Sequence, residues 1–534
     1  MKLTVKRIFS ALILALSAAA FFACTKADVS PVTTVRVAMP ANEQIQDVDT
    51  NYYKCWLEQQ TGLDIEISFI PKDYTEEYLR LLFSSNEKNI DAVFFNSASG
   101  FPSAKLIQEY GRQGYLMPLE DKINAASTNM GDVLKWFKTY DLQSVLTATD
   151  GHIYYMPSLD TSTVKRNAQT LWINAEWLKN LKLSMPQTTE DLKAILQAFQ
   201  DKDPNGNGMM DEIPLASTGE DPSEQVCNYL INSFVYNDPK NSRMAVQNGR
   251  VYFTPTTEEW RQAITYCHGL YSEGLLKPQC FTFSKDQLKR LVNDPRNLIG
   301  GFTSNSITDV LLQSSPELMS RYVHISPLKG PSGMQYACVN TTLPAPGGVI
   351  LAACENPQAV YKLMDVMVSE QASLIGRYGE QGSDWDFAIN GDISPNGSPA
   401  SIAVKNKIAN KRQSKHLLEM GPFVTREKYV DGVAWRGFQA DQEYMDARAA
   451  RVYRQFEPKE YIKTILFQDN DTETLEQIRT RVDDYTNSSM TDFITGVQNP
   501  EDDTVWDAYL KRYEQLELNT LIRAVQDSYD TLSQ

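Results

Sequence analysis

Short apolar strands alternate with amphipathic helices near the start of the chain, and this alternation restricts the fold more than any other feature. TVRVAMP alternates apolar and polar residues, DIEISFIP places Ile65, Ile67 and Phe69 on one face, and IDAVFF is continuously apolar. Between the last two, YTEEYLRLLFSS carries apolar residues at helical spacing. A strand, a helix and a strand in this order predict a parallel sheet with right-handed crossovers.

A second α/β region follows, and the chain is long enough for two lobes. VYFTP and NLIGGF read as strands, with the helices TTEEWRQAITYCHGLYSEG and SKDQLKRLVND between them. VHISPLKGP and GGVILAA add strands, and the pattern is then largely helical to the C-terminus. Because a single core rarely exceeds about 250–300 residues, 534 residues predict more than one. We expect function in the crevice at the carboxyl ends of the strands, between the lobes.

The N-terminus has the layout of an export signal. MKLTVKR is basic, IFSALILALSAAAFF is apolar but too short to span a bilayer comfortably, and Ala23 precedes Cys24. A cysteine at the cleavage point resembles the lipobox of bacterial lipoproteins, although Phe21 and Phe22 depart from that motif. We expect residues 1–23 to be removed, Cys24 to carry a lipid and residues 24–34 to form a tether; the alternative is an ordinary signal peptide cut near Ala23.

Composition and motifs exclude several classes of function. The formal net charge of −16 disfavours a nucleic-acid surface. The cysteines lack the clustering of zinc or redox sites, and the four histidines are scattered. G-x-S-x-G, H-E-x-x-H and G-x-x-x-x-G-K-[ST] do not occur in the sequence. We therefore predict that the protein is not an enzyme, while a glycan-active enzyme using two carboxylates stays open as an alternative.

The stretch DKDPNGNGMMDEIP, whose residues 203–212 we call the acidic loop, has the register of a calcium-binding loop. Oxygen-bearing side chains and one backbone carbonyl alternate along it, and Gly208 stands where an EF-hand turns sharply. The loop departs from an EF-hand at its end, because Pro214 occupies the last ligand position and the final carboxylate comes early. A solvated turn is the alternative reading. The predicted ligands of a structural calcium ion are Asp203, Asn205, Asn207, the Met209 carbonyl, Asp211 and Glu212.

The residues around this loop resemble a known family. QTLWINAEWLKNLKLSMPQTTEDLKAILQAFQDKDPNGNGMMDEIPL and RYGEQGSDWDF are similar to segments of the extracellular solute-binding lipoproteins of ABC importers, in the branch of alginate-oligosaccharide-binding proteins. YGRQGYLMPLED, TDGHIYYMP and GLYSEGLLKP agree in order, so the resemblance covers nearly all of the chain after the tether.

This resemblance implies a two-lobed, periplasmic-binding-protein-like α/β fold of type II with a helix-rich C-terminal part. The N-terminal lobe would comprise 35–155 plus about 325–360, and the C-terminal lobe 156–324 plus 361–534. It also implies an importer component that captures an oligosaccharide in the cleft, closes on it and delivers it to the permease. We expect a monomer at the bacterial cell surface or in the periplasm that meets the membrane only through the lipid on Cys24, with a neutral sugar preferred. A peptide or another solute is the alternative ligand.

Sugar rings stack their apolar faces on aromatic rings, and their hydroxyls pair with polar side chains. Asn96 follows the strand IDAVFF, where ligands of open sheets bind. Tyr155 and Trp172 flank the expected crossover between the lobes, and Trp385 and Trp435 stand in loop-like sequence. Core packing is the alternative for each aromatic residue. The predicted ligand-binding residues are Asn96, Tyr155, Trp172, Glu380, Trp385, Trp435 and Arg436.

Overall fold

The computed structural model describes residues 32–533 apart from short gaps. The gaps are 73–75, 86–87, 97–99, 101, 124–127, 140, 313–315, 407–411, 437–441 and 468–470. The predicted signal peptide, Cys24 and most of the predicted tether therefore lie outside the described residues. Among the described helices, none combines the length and apolarity that a membrane span needs. The cysteines of the described part are free thiols.

A mixed sheet forms the centre of the first lobe. Its strands are β1 (Thr34–Pro40), β2 (Asp64–Ile70), β3 (Ala92–Phe94), β4 (Met156–Asp160), β10 (Ala345–Ile350) and β13 (Phe423–Thr425), in the order β13-β4-β10-β3-β1-β2. β1 pairs in parallel with β2 and with β3, which confirms the predicted parallel unit. β10 runs antiparallel to β3 and β4, so it returns the chain into this sheet from the other lobe.

The remaining strands form smaller sheets. Their bounds are β5 (Thr170–Asn174), β6 (Met244–Gln247), β7 (Arg250–Phe253), β8 (Gly301–Ser304), β9 (Tyr322–His324), β11 (Trp385–Phe387), β12 (Ile402–Val404) and β14 (Val433–Trp435). β5 lies between β8 and β9 in the antiparallel sheet of the second lobe. β6 and β7 form a hairpin whose turn residues Asn248 and Gly249 both have positive φ, as the Asn-Gly sequence favours.

Helices cover both sheets. They are α1 (Tyr52–Thr61), α2 (Glu76–Ser84), α3 (Ala104–Arg112), α4 (Glu120–Ile123), α5 (Asn129–Trp136), α6 (Leu142–Leu146), α7 (Thr163–Arg166), α8 (Ala175–Asn180), α9 (Thr189–Asp201), α10 (Val226–Ile231), α11 (Glu258–Ser272), α12 (Lys285–Val292), α13 (Pro316–Arg321), α14 (Pro357–Met367), α15 (Glu370–Tyr378), α16 (Glu427–Val430), α17 (Gln442–Tyr453), α18 (Thr472–Thr495), α19 (Asp503–Gln515) and α20 (Leu518–Ser533). Short 3-10 turns span Pro222–Glu224, Pro239–Asn241, Thr254–Thr256, Pro278–Phe281, Ile307–Asp309 and Arg454–Phe456.

Buried side chains divide between two large cores, and this division corrects the expected lobe boundaries. The first core runs from Val35 to Leu159 and resumes from Val349 to Val433. The second runs from Leu171 to Ala337 and resumes in the C-terminal helices, with a smaller cluster beside it. The described residues of 361–435 therefore pack in the first lobe rather than the second, and 325–337 pack in the second rather than the first. The reason is that helices α14 and α15 cover the first sheet.

Candidate functional site

The chain passes from the first core to the second just after β4, and cavities open beside this crossing. One cavity of about 400 Å³ is lined by first-lobe residues, by the segments in which the chain crosses between the lobes, and by Arg454 and Tyr461. Its lining includes Trp136, Arg166, Asn340, Thr341, Arg454 and Tyr461. This volume is typical of small-molecule sites, which occur preferentially between domains.

Trp136 supplies the main aromatic surface of this cavity. It is the last residue of α5, and its side chain remains 41% exposed. The Arg426 guanidinium lies 5.2 Å from the centroid of its ring, which is within the range of a cation–π contact. One neighbour therefore fixes the indole while much of the ring stays open to the cavity.

Arg166 and Tyr461 form a polar wall. Nε and Nη2 of Arg166 both donate to the Glu457 carboxylate, at 3.0 and 2.7 Å, and Nη2 also donates to the Tyr461 hydroxyl at 3.0 Å. Burial alone would lower the pKa of Arg166, but these hydrogen bonds raise it above its ordinary value. The guanidinium is thus a permanently charged and oriented donor group.

Two contacts join the lobes at this point. Arg454 Nη1 donates to Glu427 Oε1 at 2.6 Å. Asp431 accepts a hydrogen bond from the Thr163 backbone N–H at 3.1 Å and a short one from the Thr163 hydroxyl. Burial raises the pKa of Asp431 to about 6, because the charged carboxylate loses most of its hydration. A second cavity of about 490 Å³ lies against the same four residues.

Three of the predicted ligand residues are buried near the crossing. Asn96 lies two residues after the end of β3 and is 1% exposed. Tyr155 precedes β4, and Trp172 lies within β5 with its ring edge-on to His324. Tyr155 and Trp172 are fully buried, so a sugar contact at either would require its ring to become exposed. Tyr155 and Trp172 do flank the crossing as expected.

The other four predicted residues lie in the first lobe, engaged with protein groups. Trp385 is in strand β11 rather than in a loop, and its buried indole N–H donates to the Gly379 carbonyl at 2.9 Å. Glu380 accepts from Lys415 Nζ at 2.8 Å. Arg436 donates to Asp392 at 2.6 and 3.1 Å, and the neighbouring Trp435 is half-buried in β14. None of the seven lines the two cavities described above, so their ligand contacts stay predictions.

The cavity residues Trp136, Arg454 and Tyr461 were not singled out by sequence reasoning. Trp136 stands within a helical pattern, where a tryptophan is usually a packing residue. The residue lies at the last position of α5 and faces the lobe crossing, which only the tertiary fold reveals. Arg454 and Tyr461 follow the segment after Val433 in which the chain leaves the first lobe for the last time, and their sequence contains no motif.

The acidic loop folds as a series of tight turns around its own oxygens. Asp203 accepts from the backbone N–H groups of Asn207 and Gly208 at 3.1 and 2.8 Å. Asn207 Oδ1 accepts from the Met209 N–H at 2.7 Å. Gly206 and Gly208 have φ of 72° and 79°, values that favour glycine. After the loop, Ile213 pairs with Ile299 and returns the chain to the core.

Glu212 is the residue of the acidic loop that its surroundings leave unsatisfied. It is 8% exposed, and neither of its buried carboxylate oxygens has a hydrogen-bond partner among the described residues. Burial, and then the charges of Asp203 and Asp211, raise its pKa. Across the described ranges no cluster of three or more His, Cys, Asp or Glu residues has a metal-holding arrangement. An oxygen-ligated cation nevertheless fits the chemistry here, because half of the predicted ligands are amide and carbonyl groups.

Sequence comparison finds an ABC-transporter substrate-binding protein and a lipoprotein, although no protein-family model matches the chain. The fructooligosaccharide ABC transporter substrate-binding protein FusA of Streptococcus pneumoniae serotype 4 is 25% identical over 499 residues, which cover 89% of this chain and 86% of FusA. Lipoprotein LipO of Bacillus subtilis is 26% identical over 227 residues, which cover 41% of this chain and 40% of LipO.

Solved structures agree with this result. FusA in complex with kestose has a TM-score of 0.70 at 21% identity, covering 93% of this chain and 99% of that one, and an EF-hand mutant of FusA gives the same values. An HMO-binding, ABC-transporter-associated solute-binding protein of Bifidobacterium longum infantis has a TM-score of 0.71 at 21% identity, with 94% and 99% covered. The alginate-binding protein AlgQ2, solved without calcium, has a TM-score of 0.60 at 18% identity, with 94% and 99% covered. The homologues of this chain are thus substrate-binding proteins of ABC transporters, and the chain shares their two-lobed α/β fold.

Proposed function

We propose that this protein captures an oligosaccharide between its two lobes and delivers it to the permease of an ABC importer. The observation that carries the proposal is the cavity of about 400 Å³ between the cores, where the exposed face of Trp136 stands beside Arg166 and Tyr461. An indole face suits the apolar side of a sugar ring, and the polar wall suits its hydroxyls. The fructooligosaccharide-, HMO- and alginate-binding relatives support a carbohydrate ligand.

Capture in this fold is a shift of population. A ligand that contacts both lobes at once favours the arrangement of the lobes in which all of those contacts form. The equilibrium shifts by the difference between the ligand's binding free energies for the two arrangements. The Asp431–Thr163 hydrogen bonds lie at this junction and hold the first lobe to the crossing segment before ligand arrives, while the exposed Glu427–Arg454 ion pair beside them adds little. No bond of the ligand is broken in this scheme.

The acidic loop is proposed to hold a structural calcium ion. Asp203, Asn205, Asn207, Met209, Asp211 and Glu212 would be its ligands, and a bound cation would supply the charge that the buried Glu212 carboxylate lacks. Relatives solved as an EF-hand mutant and without calcium support this assignment. The loop lies on the second lobe, and neither of the two cavities is lined by its residues, which favours a role in stability.

We also propose an exported, monomeric protein anchored through a lipid on Cys24. The relative LipO is named a lipoprotein, which supports the anchor. Mass spectrometry of protein purified from membranes tests this directly. A mature N-terminus at Cys24 carrying acyl chains is expected, whereas an unmodified chain that starts near Cys24 would favour ordinary secretion.

Trp136→Ala tests the site. A panel of oligosaccharides and peptides is first screened by thermal shift, because a ligand well above its dissociation constant raises the apparent stability. The variant is expected to bind the selected glycan at least about tenfold more weakly, roughly 1.4 kcal/mol, because it loses an aromatic stacking surface. Phe69→Ala, which removes a similarly exposed aromatic residue on β2, is the control.

Three results would contradict these proposals. Unchanged affinity in Trp136→Ala would remove the cavity from consideration as the glycan site. Binding of peptides and of no glycan would replace the ligand class. Cleavage of a bound glycan during incubation would identify an enzyme instead of a binding protein.

A further inference from the structure

The two cavities between the lobes share one wall. They enclose about 400 and 490 Å³, and Trp136, Thr163, Glu427 and Arg454 line both. Each volume by itself falls within the range of about 300–1,000 Å³ that is usual for small-molecule sites. The shared residues therefore decide whether a ligand occupies one cavity or both.

One contact in the shared wall is easy to break. The Glu427 and Arg454 side chains meet at 2.6 Å, but they are 46% and 50% exposed. Exposed ion pairs contribute little to stability, because water solvates the separated charges almost as well and pairing immobilises two long side chains. A ligand that offers hydrogen bonds to both groups can replace this contact.

The other contact in the wall is harder to break. Thr163 is 8% exposed, and both its backbone N–H and its hydroxyl are bound by Asp431. Separating them would leave buried polar groups without partners, which costs more than losing a solvated ion pair. The wall thus combines a fixed part at Thr163 with a movable part at Glu427.

Trp136 can contact a ligand in either of the two cavities. Its ring borders both cavities, and the Arg426 guanidinium at 5.2 Å from the ring centroid holds it in place. A sugar ring stacked on the indole can therefore be extended in the direction of the neighbouring cavity without moving the tryptophan.

We propose that the Glu427–Arg454 ion pair is a displaceable partition through which the site selects saccharides by chain length. This inference rests on the proposed function. A short saccharide occupies one cavity and leaves the ion pair intact. A longer chain continues past Trp136 into the second cavity, where its hydroxyls donate to the Glu427 carboxylate and accept from the Arg454 guanidinium. The added contacts more than offset the lost ion pair.

Glu427→Gln tests the partition. Glutamine keeps the length and hydrogen-bonding capacity of the side chain but removes the charge attraction, so displacement becomes easier. Fructo-, malto- and galacto-oligosaccharides of increasing length are titrated by calorimetry into the wild type and the variant. We expect the wild type to bind longer members more tightly. In the variant, the ratio of the affinity for long members to the affinity for short members should rise by about two- to fivefold.

Glu517→Gln is the matched control. Glu517 pairs with Arg481 at 3.2 Å, with both side chains about as exposed as in the partition, but away from both cavities. Equal affinity at every chain length, or an equal shift of all affinities in Glu427→Gln, would overturn the partition and leave the proposed function standing. Binding of no member of any series would reject the proposed function, and the partition with it.

Discussion

Glu212 is the residue of the acidic loop whose burial is most unfavourable when no cation is bound. Its carboxylate is buried without a hydrogen-bond partner in the described chain, and burial followed by the charges of Asp203 and Asp211 raises its pKa. A carboxyl whose pKa is raised on folding contributes fully to stability below its unfolded value and loses that contribution as the pH rises through the folded value. The ion-free loop is therefore least favourable at neutral pH, where a cation helps most.

Glu212→Gln should separate the loop from calcium. In the wild type at neutral pH, a chelator is expected to lower the melting temperature and added calcium to restore it, because the ion binds the folded state only. The variant should show no calcium-dependent shift, and its chelated form should melt above the chelated wild type. Asp201→Asn, an exposed position just before the loop, should retain the wild-type response. A wild type indifferent to calcium in differential scanning calorimetry would contradict the assignment.

Single residues were predictable from sequence only where local spacing specifies them. The register of the acidic loop, with Asp203 and Gly208 at fixed offsets, could be read directly and gives the turns that the structure shows. The cavity residues could not be predicted in this way. Trp136 lines the cavity only because the end of α5 lies beside the crossing between the lobes in the folded structure. The loop-like sequence around Trp385 was misleading, because a strand of only three residues, β11, forms within it. The indole of Trp385 is buried there instead of facing a cleft.

At the scale of elements, helix α9 connects the core of the second lobe to the acidic loop. Leu192, Ile195 and Phe199 anchor it in that core. The Thr188 side chain accepts from the Asp191 N–H while the Asp191 carboxylate accepts from the Thr188 N–H, which is a capping box. The start of the helix is thus fixed by hydrogen bonds and its end by the loop.

Thr188→Ala should weaken this element without touching the loop. Loss of an N-cap side chain typically costs about 1 kcal/mol, which corresponds to roughly 2–4 °C for a domain of this size. Thr480→Ala, in the middle of α18 on its exposed side, is the control and should leave stability nearly unchanged or slightly raised. Urea unfolding of both variants measures the difference, and equal midpoints would show that the cap contributes little.

Elements were predictable where apolar spacing was regular over several residues. The alternation of Val35 and Val37 in β1, and of Ile65 and Ile67 in β2, gave strands that pair in parallel as expected. The sheet of β11, β12 and β14 was not foreseen, because each strand has only three residues and too short a pattern to recognise.

At the scale of the whole molecule, Asp431 ties the first lobe to the segment that leads into the second. Its pKa is raised to about 6 by burial, against which the Thr163 hydrogen bonds act. Glu427 and Arg454 face the same carboxyl, and Lys428 and Arg451 lie in the adjoining cavity wall. Since the folded pKa is the higher one, the stabilising contribution of Asp431 is complete below about pH 4 and is lost as the pH rises through about 6.

Asp431→Asn removes this titration. Relative to the variant, the wild type should lose on the order of 2 kcal/mol of unfolding free energy between about pH 4 and pH 7, because about two pKa units separate the folded from the unfolded carboxyl. Asp484→Asn, on the exposed side of α18, controls for general charge effects. A difference between wild type and Asp431→Asn that is constant across this range in urea unfolding would contradict the prediction.

The two-lobed arrangement was predictable from length and from the resemblance, but the lobe boundaries were not. Periodicity locates helices without specifying the sheet on which they pack. Residues 361–435 continue the helical pattern, yet α15 packs on the first sheet, where Val424 donates its N–H to Ser373 Oγ at 3.2 Å. Tertiary packing decides such assignments, and sequence patterns do not record it.

Each core is assembled from separated stretches, since the chain leaves the first after Leu159, re-enters it at Val349 and leaves again after Val433. During synthesis from the N-terminus, the early half of that core must therefore wait for more than two hundred further residues before its missing strands and helices exist. A ribosome stalled near the middle of the message would hold a second lobe still lacking its C-terminal helices and a first lobe still lacking strands β10 and β13 and helices α14 and α15. Neither core can therefore be completed until most of the chain has been synthesised.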